Sequence, residues 1–271
     1  VLGIWIMPQF AWQEIFYLAA IPLLLLPLIW TQLPDSVAFL VRQGKIAEAR
    51  KVLAALTGKP LPDDAELAVH QPQKTEQSLA ALFSNNRALS TLMFFQAFFM
   101  CLLMVYGLGS WLPKLMTMAG YGFGSSLMFL LFLNIGGIIG AIGGGWLSDR
   151  FHPRPVLMLF FTLAAVSLAL LGFKSHVAVL YFLVTVAGAT TIGSQILLYA
   201  YVAQFYPTAI RSTALGWSSG VGRIGAILGP VLGGALLAMQ LSHQMNFLAF
   251  VVPGALAVIA IMLTAGRKEA V

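Results

Sequence analysis

The chain predicts an all-α, polytopic transmembrane helical bundle, and three observations carry that prediction. Hydrophobic residues fill 59% of its 271 positions and charged residues 9%, against roughly a quarter charged in a soluble domain. Uncharged runs recur at 88–113, 155–173, 175–210 and 224–265, and runs of about 20 apolar residues are long enough to cross a bilayer. The charges are segregated: seven of the fifteen lysines and arginines lie between Pro34 and Arg87.

The elements follow in order. Residues 1–7 read as the tail of a helix whose beginning is missing. They carry no basic n-region and no small-residue cleavage site, so no signal peptide is recognised. Spans are expected at 15–30, 88–111, 126–147, 155–173, 178–204, 213–239 and 247–264, seven full spans and part of an eighth. Between the first two lies a polar stretch, 34–87, rich in Ala, Lys, Glu and Pro. A connection that long usually links two bundles. Its segment Lys45-Ile-Ala-Glu-Ala-Arg-Lys-Val-Leu53 reads as a short amphipathic helix, either on the membrane surface or in a merely solvated loop. The expected organisation is 1–33 in one bundle, 34–87 as linker, 88–266 as a six-helix bundle and 267–271 as a tail.

Orientation comes from the basic residues. If 34–87 is cytoplasmic, alternation puts Arg150, Arg154, Arg211, Arg267 and Lys268 on the same side and leaves Lys114 and Lys174 outside. Twelve against two, with Arg223 buried in a span, satisfies the positive-inside rule. The net charge of +6 is therefore a topology signal, and no basic patch interleaved with aromatics points to nucleic acid. The single cysteine, Cys101, lies in an apolar run, which excludes disulfide and thiolate-metal frameworks. No metal or cofactor is expected. Enzyme chemistry is disfavoured, because the spans hold no paired carboxylates, ligand cluster or activated nucleophile. A phosphate loop of the G-x-x-x-x-G-K-[ST] type is absent too, which argues against ATP-driven transport.

One charge breaks the pattern. Arg223 lies in Gly220-Val-Gly-Arg-Ile-Gly225, about 15 Å into its expected span, where a cation costs between about 3 and 17 kcal/mol. Such a charge faces a wet cavity, a ligand or a partner anion; a snorkelling or carbonyl-paired arginine is the alternative. The run matches G-x-G-x-x-G formally, but it lacks the preceding strand that a dinucleotide site needs. Small-residue helix packing accounts for the glycines better. At 100° per residue, Gly216, Ser219 and Gly220 fall near Arg223, while Gly225, Gly229 and Gly233 form a ridge on the other side. Pro230 should kink the helix and free a carbonyl.

Two charged connections complete the motifs. Gly145-Trp-Leu-Ser-Asp149-Arg150-Phe-His-Pro-Arg154 reads as a tight loop whose Asp and cations cap helix ends and pair across one face, with a plain positive-inside anchor as the alternative. Tyr206-Pro-Thr-Ala-Ile-Arg211-Ser-Thr reads as a proline turn followed by an arginine.

In order and spacing these motifs resemble the carboxyl-terminal half of the major facilitator superfamily, and more narrowly its aromatic acid:proton symporter family, the benzoate and hydroxybenzoate carriers. The G-x-x-x-D-R pattern of Gly145–Arg150 is a superfamily mark. The run 206–234, with Leu215-Gly-Trp217 and Gly222-Arg-Ile-Gly-Ala-Ile-Leu-Gly-Pro230, is the more specific part. The sequence departs from the family at His152 and Pro153, where a glycine and a basic residue are usual, and in Leu33-Pro-Asp-Ser-Val-Ala38, which lacks the usual Glu and Arg.

The resemblance implies a twelve-helix fold covered here from the end of the fifth helix to the twelfth. It also implies alternating access and proton-coupled uptake of an aromatic carboxylate across a bacterial inner membrane, with linker and tail cytoplasmic. Arg223 would be a functional arginine of the eleventh helix. Guanidinium chemistry suits a carboxylate independently, through its bidentate fork. Asn134, Gln195 and Tyr199 are candidate polar partners, with Tyr106 and Trp217 as candidate ring stackers; interhelical bonding or interfacial anchoring is the alternative for each. Asp149, Arg150, Arg154 and Arg211 are candidate conformational residues. A proton symporter also needs a titrating group inside the membrane, and these spans offer none. The expected partners are therefore the lipid bilayer, an aromatic carboxylate, a proton, and an amino-terminal half that supplies coupling. The competing readings are a truncated, non-functional remnant or membrane interaction protein, and a major facilitator carrier of another organic anion.

Overall fold

The computed structural model describes residues 17, 20–32, 35, 37–57 and 79–264. They fall in two compact units, Val1–Gln73 and Lys74–Val271, whose border lies inside the expected linker.

In the first unit a 3-10 turn, Ile21–Leu25, runs into helix α1, Leu26–Gln32. The described part of the span expected at 15–30 thus changes from 3-10 to α-helix at Leu26. Pro22 and Pro27 account for this, since each withholds a backbone donor. The remainder of that span, and residues 1–7, lie outside the described residues. Helices α2, Val37–Arg42, and α3, Ile46–Thr57, form a hairpin. Gly44 turns it with φ +77°, and Gly44 N and Lys45 N donate to Val41 O at 3.1 Å and Leu40 O at 2.9 Å. This is a Schellman stop, which a glycine adopts without steric cost. The amphipathic helix expected near 45–53 is α3.

The second unit begins with a 3-10 turn, Leu79–Leu82, followed by Asn85 and Asn86 in left-handed conformation (φ 54° and 59°). Six helices then follow: α4 Ala88–Met118, α5 Phe123–Phe151, α6 Pro153–Leu171, α7 Val177–Phe205, α8 Thr208–Ala238 and α9 His243–Leu263. All six contain stretches long and apolar enough to cross a membrane, and no strand occurs among the described residues.

Several helices run past the expected limits. α4 continues through Pro113, which neighbouring helices make tolerable in a membrane bundle. α8 starts at Thr208, directly after Pro207, so Arg211 sits in its first turn and not in a loop. Asp149 and Arg150 are likewise helical, in the last turn of α5. A cation there complements the helix dipole, which favours continuing the helix to Phe151. The tight charged loop reduces to His152, whose φ of 70° and ψ of 145° place a non-glycine residue in a region that favours glycine.

Glycines set two helix pairs. A Cβ at Gly225 would run into the Phe99 carbonyl, one at Gly229 into Leu103 O and Gly107 N, and one at Gly233 into the Trp111 ring. Residue numbers rise together along both helices, so α4 and α8 lie side by side and parallel. The expected ridge is therefore the α8 face against α4. α5 and α7 repeat the device: Gly136 and Gly140 meet Thr185 and Ala189, and Gly188 meets Leu133. Helices with little hydrophobic drive between them in lipid gain close backbone approach this way. In the sequence this second ridge shows as the four-residue spacing Gly136, Gly140, Gly144.

α6 and α9 close the unit, antiparallel to one another. His243 Nε2 lies 3.2 Å from Leu171 O at one end, and Arg154 Nη2 donates to Met262 O at 2.7 Å at the other. That second end gathers Arg87, Asp149, Arg150, His152, Arg154 and Arg211 and is called the basic end below. Lys114 and Lys174 belong to the opposite one.

Candidate functional site

α8 is 31 residues long, about 46 Å at 1.5 Å per residue, and Arg223 is its middle residue. It therefore lies well within a hydrocarbon layer about 30 Å thick. The α8 face that carries it is open. Gly216 and Gly220 would place an added Cβ within 4 Å of nothing, and Arg223 itself is exposed. The opposite face is consumed by the glycine ridge. Helical periodicity thus separates a packing side from a vacant side on the same short sequence.

Arg223 has one hydrogen-bond partner among the described residues. Its Nη1 donates to the Tyr106 hydroxyl at 3.1 Å. Tyr106 is 39% exposed, so the pair sits at a surface of the unit and not in its core. A phenol supplies a dipole and no countercharge, so the cation remains unneutralised. Guanidinium carries five N–H donors, and at least one edge of the fork stays available for an oxyanion.

The other candidates divide. Tyr199 packs edge-on against Phe98, with ring centroids 5.0 Å apart, and Phe98 lies beneath Gly222, the neighbour of Arg223. Tyr199 is thus linked to α8 through Phe98, on the side that packs against α4. Gln195, one turn away on α7, is half-buried. Asn134 is exposed and its Nδ2 donates to Leu130 O at 2.7 Å, a bond within its own helix α5. Trp217 is 47% exposed, and six residues of helix turn it about 120° away from Arg223. The structure brings Tyr106 and Arg223 together. It does not bring Trp217 to them.

The basic end holds the conformational candidates. Arg154 donates to Met262 O in the last turn of α9. Arg150 lies over the Trp146 ring, 5.7 Å from its centroid. Asp149 is exposed and makes no ion pair among the described residues, so the expected pairing across this face is not seen there. Tyr201 approaches Thr264 at 3.0 Å. Tyr206 is buried and its hydroxyl lies 2.7 Å from Thr91 Oγ1. Burial pushes the Tyr206 phenol up, opposed by the Thr91 hydrogen bond and the Arg87 charge.

Sequence reasoning did not single out Trp111. Its Nε1 donates to Pro230 O at 2.7 Å while the ring covers Gly233 and Gly234. An indole opposite a pair of glycines was the available signal. No group of His, Cys, Asp and Glu able to hold a metal occurs among the described residues.

Comparison with known proteins places these features. The Major Facilitator Superfamily profile matches residues 1–150 and 134–270. A benzoate transport protein from Acinetobacter baylyi is 43% identical over 98% of the chain and 58% of its own length. A 4-hydroxybenzoate transporter from Pseudomonas aeruginosa is 35% identical over 95% of the chain and 59% of its own length. A gentisate transporter from Corynebacterium glutamicum is 48% identical over 57% of the chain and 35% of its own length. The chain thus spans under two thirds of the curated relatives it matches. Among solved structures, a bacterial homologue of the human lysosomal transporter Spinster, inward-facing and unoccupied, superposes with a TM-score of 0.55 at 15% identity, covering 83% of this chain and 58% of that one. That likeness concerns the fold alone.

Proposed function

The chain belongs to the major facilitator superfamily, and on that premise we propose that it forms the carboxyl-terminal bundle, with its preceding linker, of an alternating-access carrier for an aromatic carboxylate. Arg223 carries the reading. It is a mid-span cation on a glycine-opened face, held by a neutral phenol 3.1 Å away, and its fork fits a carboxylate. Similarity to carriers of benzoate and 4-hydroxybenzoate supports an aromatic substrate. Tyr106 orients the guanidinium, and Tyr199, which packs on the buried Phe98, is a further candidate polar partner on α7. Gln195 and Asn134 are secondary polar candidates on α7 and α5.

The carrier is read as proton-coupled, with the coupling acid outside this bundle. Asp149 is the only Asp or Glu between Ala88 and Thr264, and it lies at a helix end. An amino-terminal bundle would supply the acid and the other wall of the cavity. The basic end faces the cytoplasm of a bacterial cell in this reading, as the positive-inside rule requires. Asp149, Arg150, Arg154 and Arg211 then lie where the two bundles separate and rejoin.

Uptake of labelled benzoate and hydroxybenzoates by cells expressing the whole carrier tests the reading. Arg223→Gln should abolish uptake at unchanged membrane abundance. Arg223→Lys should impair it, because a point charge replaces the planar fork. Unchanged uptake in both variants would make Arg223 a structural residue.

A further inference from the structure

Besides the bond from Arg223 to Tyr106, a second side-chain bond crosses between α4 and α8. Trp111 Nε1 donates to Pro230 O at 2.7 Å, and the glycines beneath the indole make that approach possible. A Cβ at Gly233 would run into Trp111 Cδ1, and one at Gly234 would lie 3.3 Å from Cζ2. Pro230 is also where α8 gains most from an outside tie. It has no N–H, so the carbonyl of Ala226 lacks its helix donor, and the ladder misses a rung between Arg223 and the far end of the helix. Pro113 removes a rung from α4 in the same way, two residues past Trp111.

The tie lies where it can act on the arginine. Gly107, the neighbour of Tyr106, meets Gly229, the neighbour of Pro230: a Cβ at Gly229 would lie 2.8 Å from Gly107 N, and one at Gly107 3.3 Å from Gly229 O. The indole bond therefore clamps α8 to α4 at the level of the Tyr106 backbone. Between the two helices the contact at this level is glycine on glycine, which allows close approach but has no interlocking side chain to oppose a slide. The Tyr106 hydroxyl stands 3.1 Å from Arg223 Nη1. A slide that lengthens this bond by about 0.5 Å takes it to about 3.6 Å, where a hydrogen bond is lost.

We infer that Trp111 is a positioning residue of the carboxylate site: through Pro230 it holds the α4–α8 register in which Tyr106 orients the guanidinium. The inference rests on the reading of Arg223 as the carboxylate anchor. It assigns the indole N–H, and not the bulk of the ring alone, to substrate affinity. The ring covers Gly233 and Gly234 with or without that proton, whereas only the N–H fixes Pro230.

The test measures uptake of labelled benzoate by cells expressing the whole carrier at matched membrane abundance, in Trp111→Phe, Tyr106→Phe and the double variant. Trp111→Phe keeps an aromatic ring and removes the donor. It should raise KM about 3- to 10-fold, as loss of one hydrogen bond implies, with the maximal rate held within about twofold, the mark of lost substrate binding. In the Tyr106→Phe background the same change should add little, because the bond it protects is already gone. Where Trp111→Phe does not reach the membrane, Gly234→Ala presses on the indole instead and should raise KM in the same sense. With Arg223→Gln and Tyr106→Phe both impaired, an unchanged KM in Trp111→Phe overturns the inference alone. So does a KM rise that multiplies in full with that of Tyr106→Phe, since Trp111 would then act by a separate route. Unchanged uptake in Arg223→Gln and Tyr106→Phe instead removes the carboxylate site, and the inference falls with it.

Discussion

Replacing single glycines of α8 by alanine tests whether backbone approach holds α4 against α8. At Gly229 a Cβ would lie 2.5 Å from the Leu103 carbonyl oxygen and 2.8 Å from Gly107 N, whereas ordinary contact begins at 3.4 Å. α8 must then retreat by about 0.9 Å, an overpacking that costs about 1–3 kcal/mol. At Gly220 nothing lies within 4 Å. Both substitutions gain roughly 1 kcal/mol of helix propensity, so the difference between them isolates the packing. With about 2–4 °C per kcal/mol for a unit of this size, Gly229→Ala should melt about 2–12 °C below Gly220→Ala. Thermal unfolding of the two purified variants in one detergent measures it. Equal melting temperatures would refute the argument that these glycines set the α4–α8 distance.

Other expectations follow from single contacts. His152→Gly should raise the melting temperature, because release of the φ 70° conformation, worth about 1–3 kcal/mol, exceeds the entropy glycine adds, about 0.5–1 kcal/mol; a decrease would show that the His152 Nδ1 bond from Arg154 N matters more. Tyr106→Phe should weaken substrate affinity about 3- to 10-fold through loss of guanidinium orientation, read as a raised KM for uptake at constant expression. Tyr206→Phe should lower stability by about 1 kcal/mol, read by thermal unfolding. Since burial raises the Tyr206 phenol above the ordinary phenol value of about 10, the protonated form is the one the fold favours. That contribution is complete below pH 10 and is lost as pH rises through the folded value, so alkaline unfolding should be less steep in Tyr206→Phe.

The six long helices were legible because apolar runs of about 20 residues have one economical solution in lipid. Their ends were not. Arg211 and Asp149 looked like loop residues by charge alone, yet both are helical, since charged side chains leave the hydrocarbon layer before the helix has to stop. The ridge at Gly225, Gly229 and Gly233 was legible from its four-residue spacing, whereas its partner helix was not. The pairing of Arg223 with Tyr106 depends on the α4–α8 register, which lies in backbone contacts such as Gly225 on Phe99 and has no trace in local sequence. Trp217, a candidate ring stacker, is turned about 120° from Arg223 by six residues of helix, so any contact it makes with a substrate comes from another side than the guanidinium's. The odd glycine-like geometry of His152 was foreshadowed by the departure from the family pattern at that position.

The central claim is that Arg223 anchors a carboxylate, and equilibrium binding of labelled benzoate to the purified whole carrier and to its Arg223→Gln variant tests it most directly. Loss of a bidentate, charge-assisted contact should weaken binding by about a hundredfold or more, with melting temperature unchanged in the absence of ligand. Equal benzoate affinity in the two proteins would contradict the account.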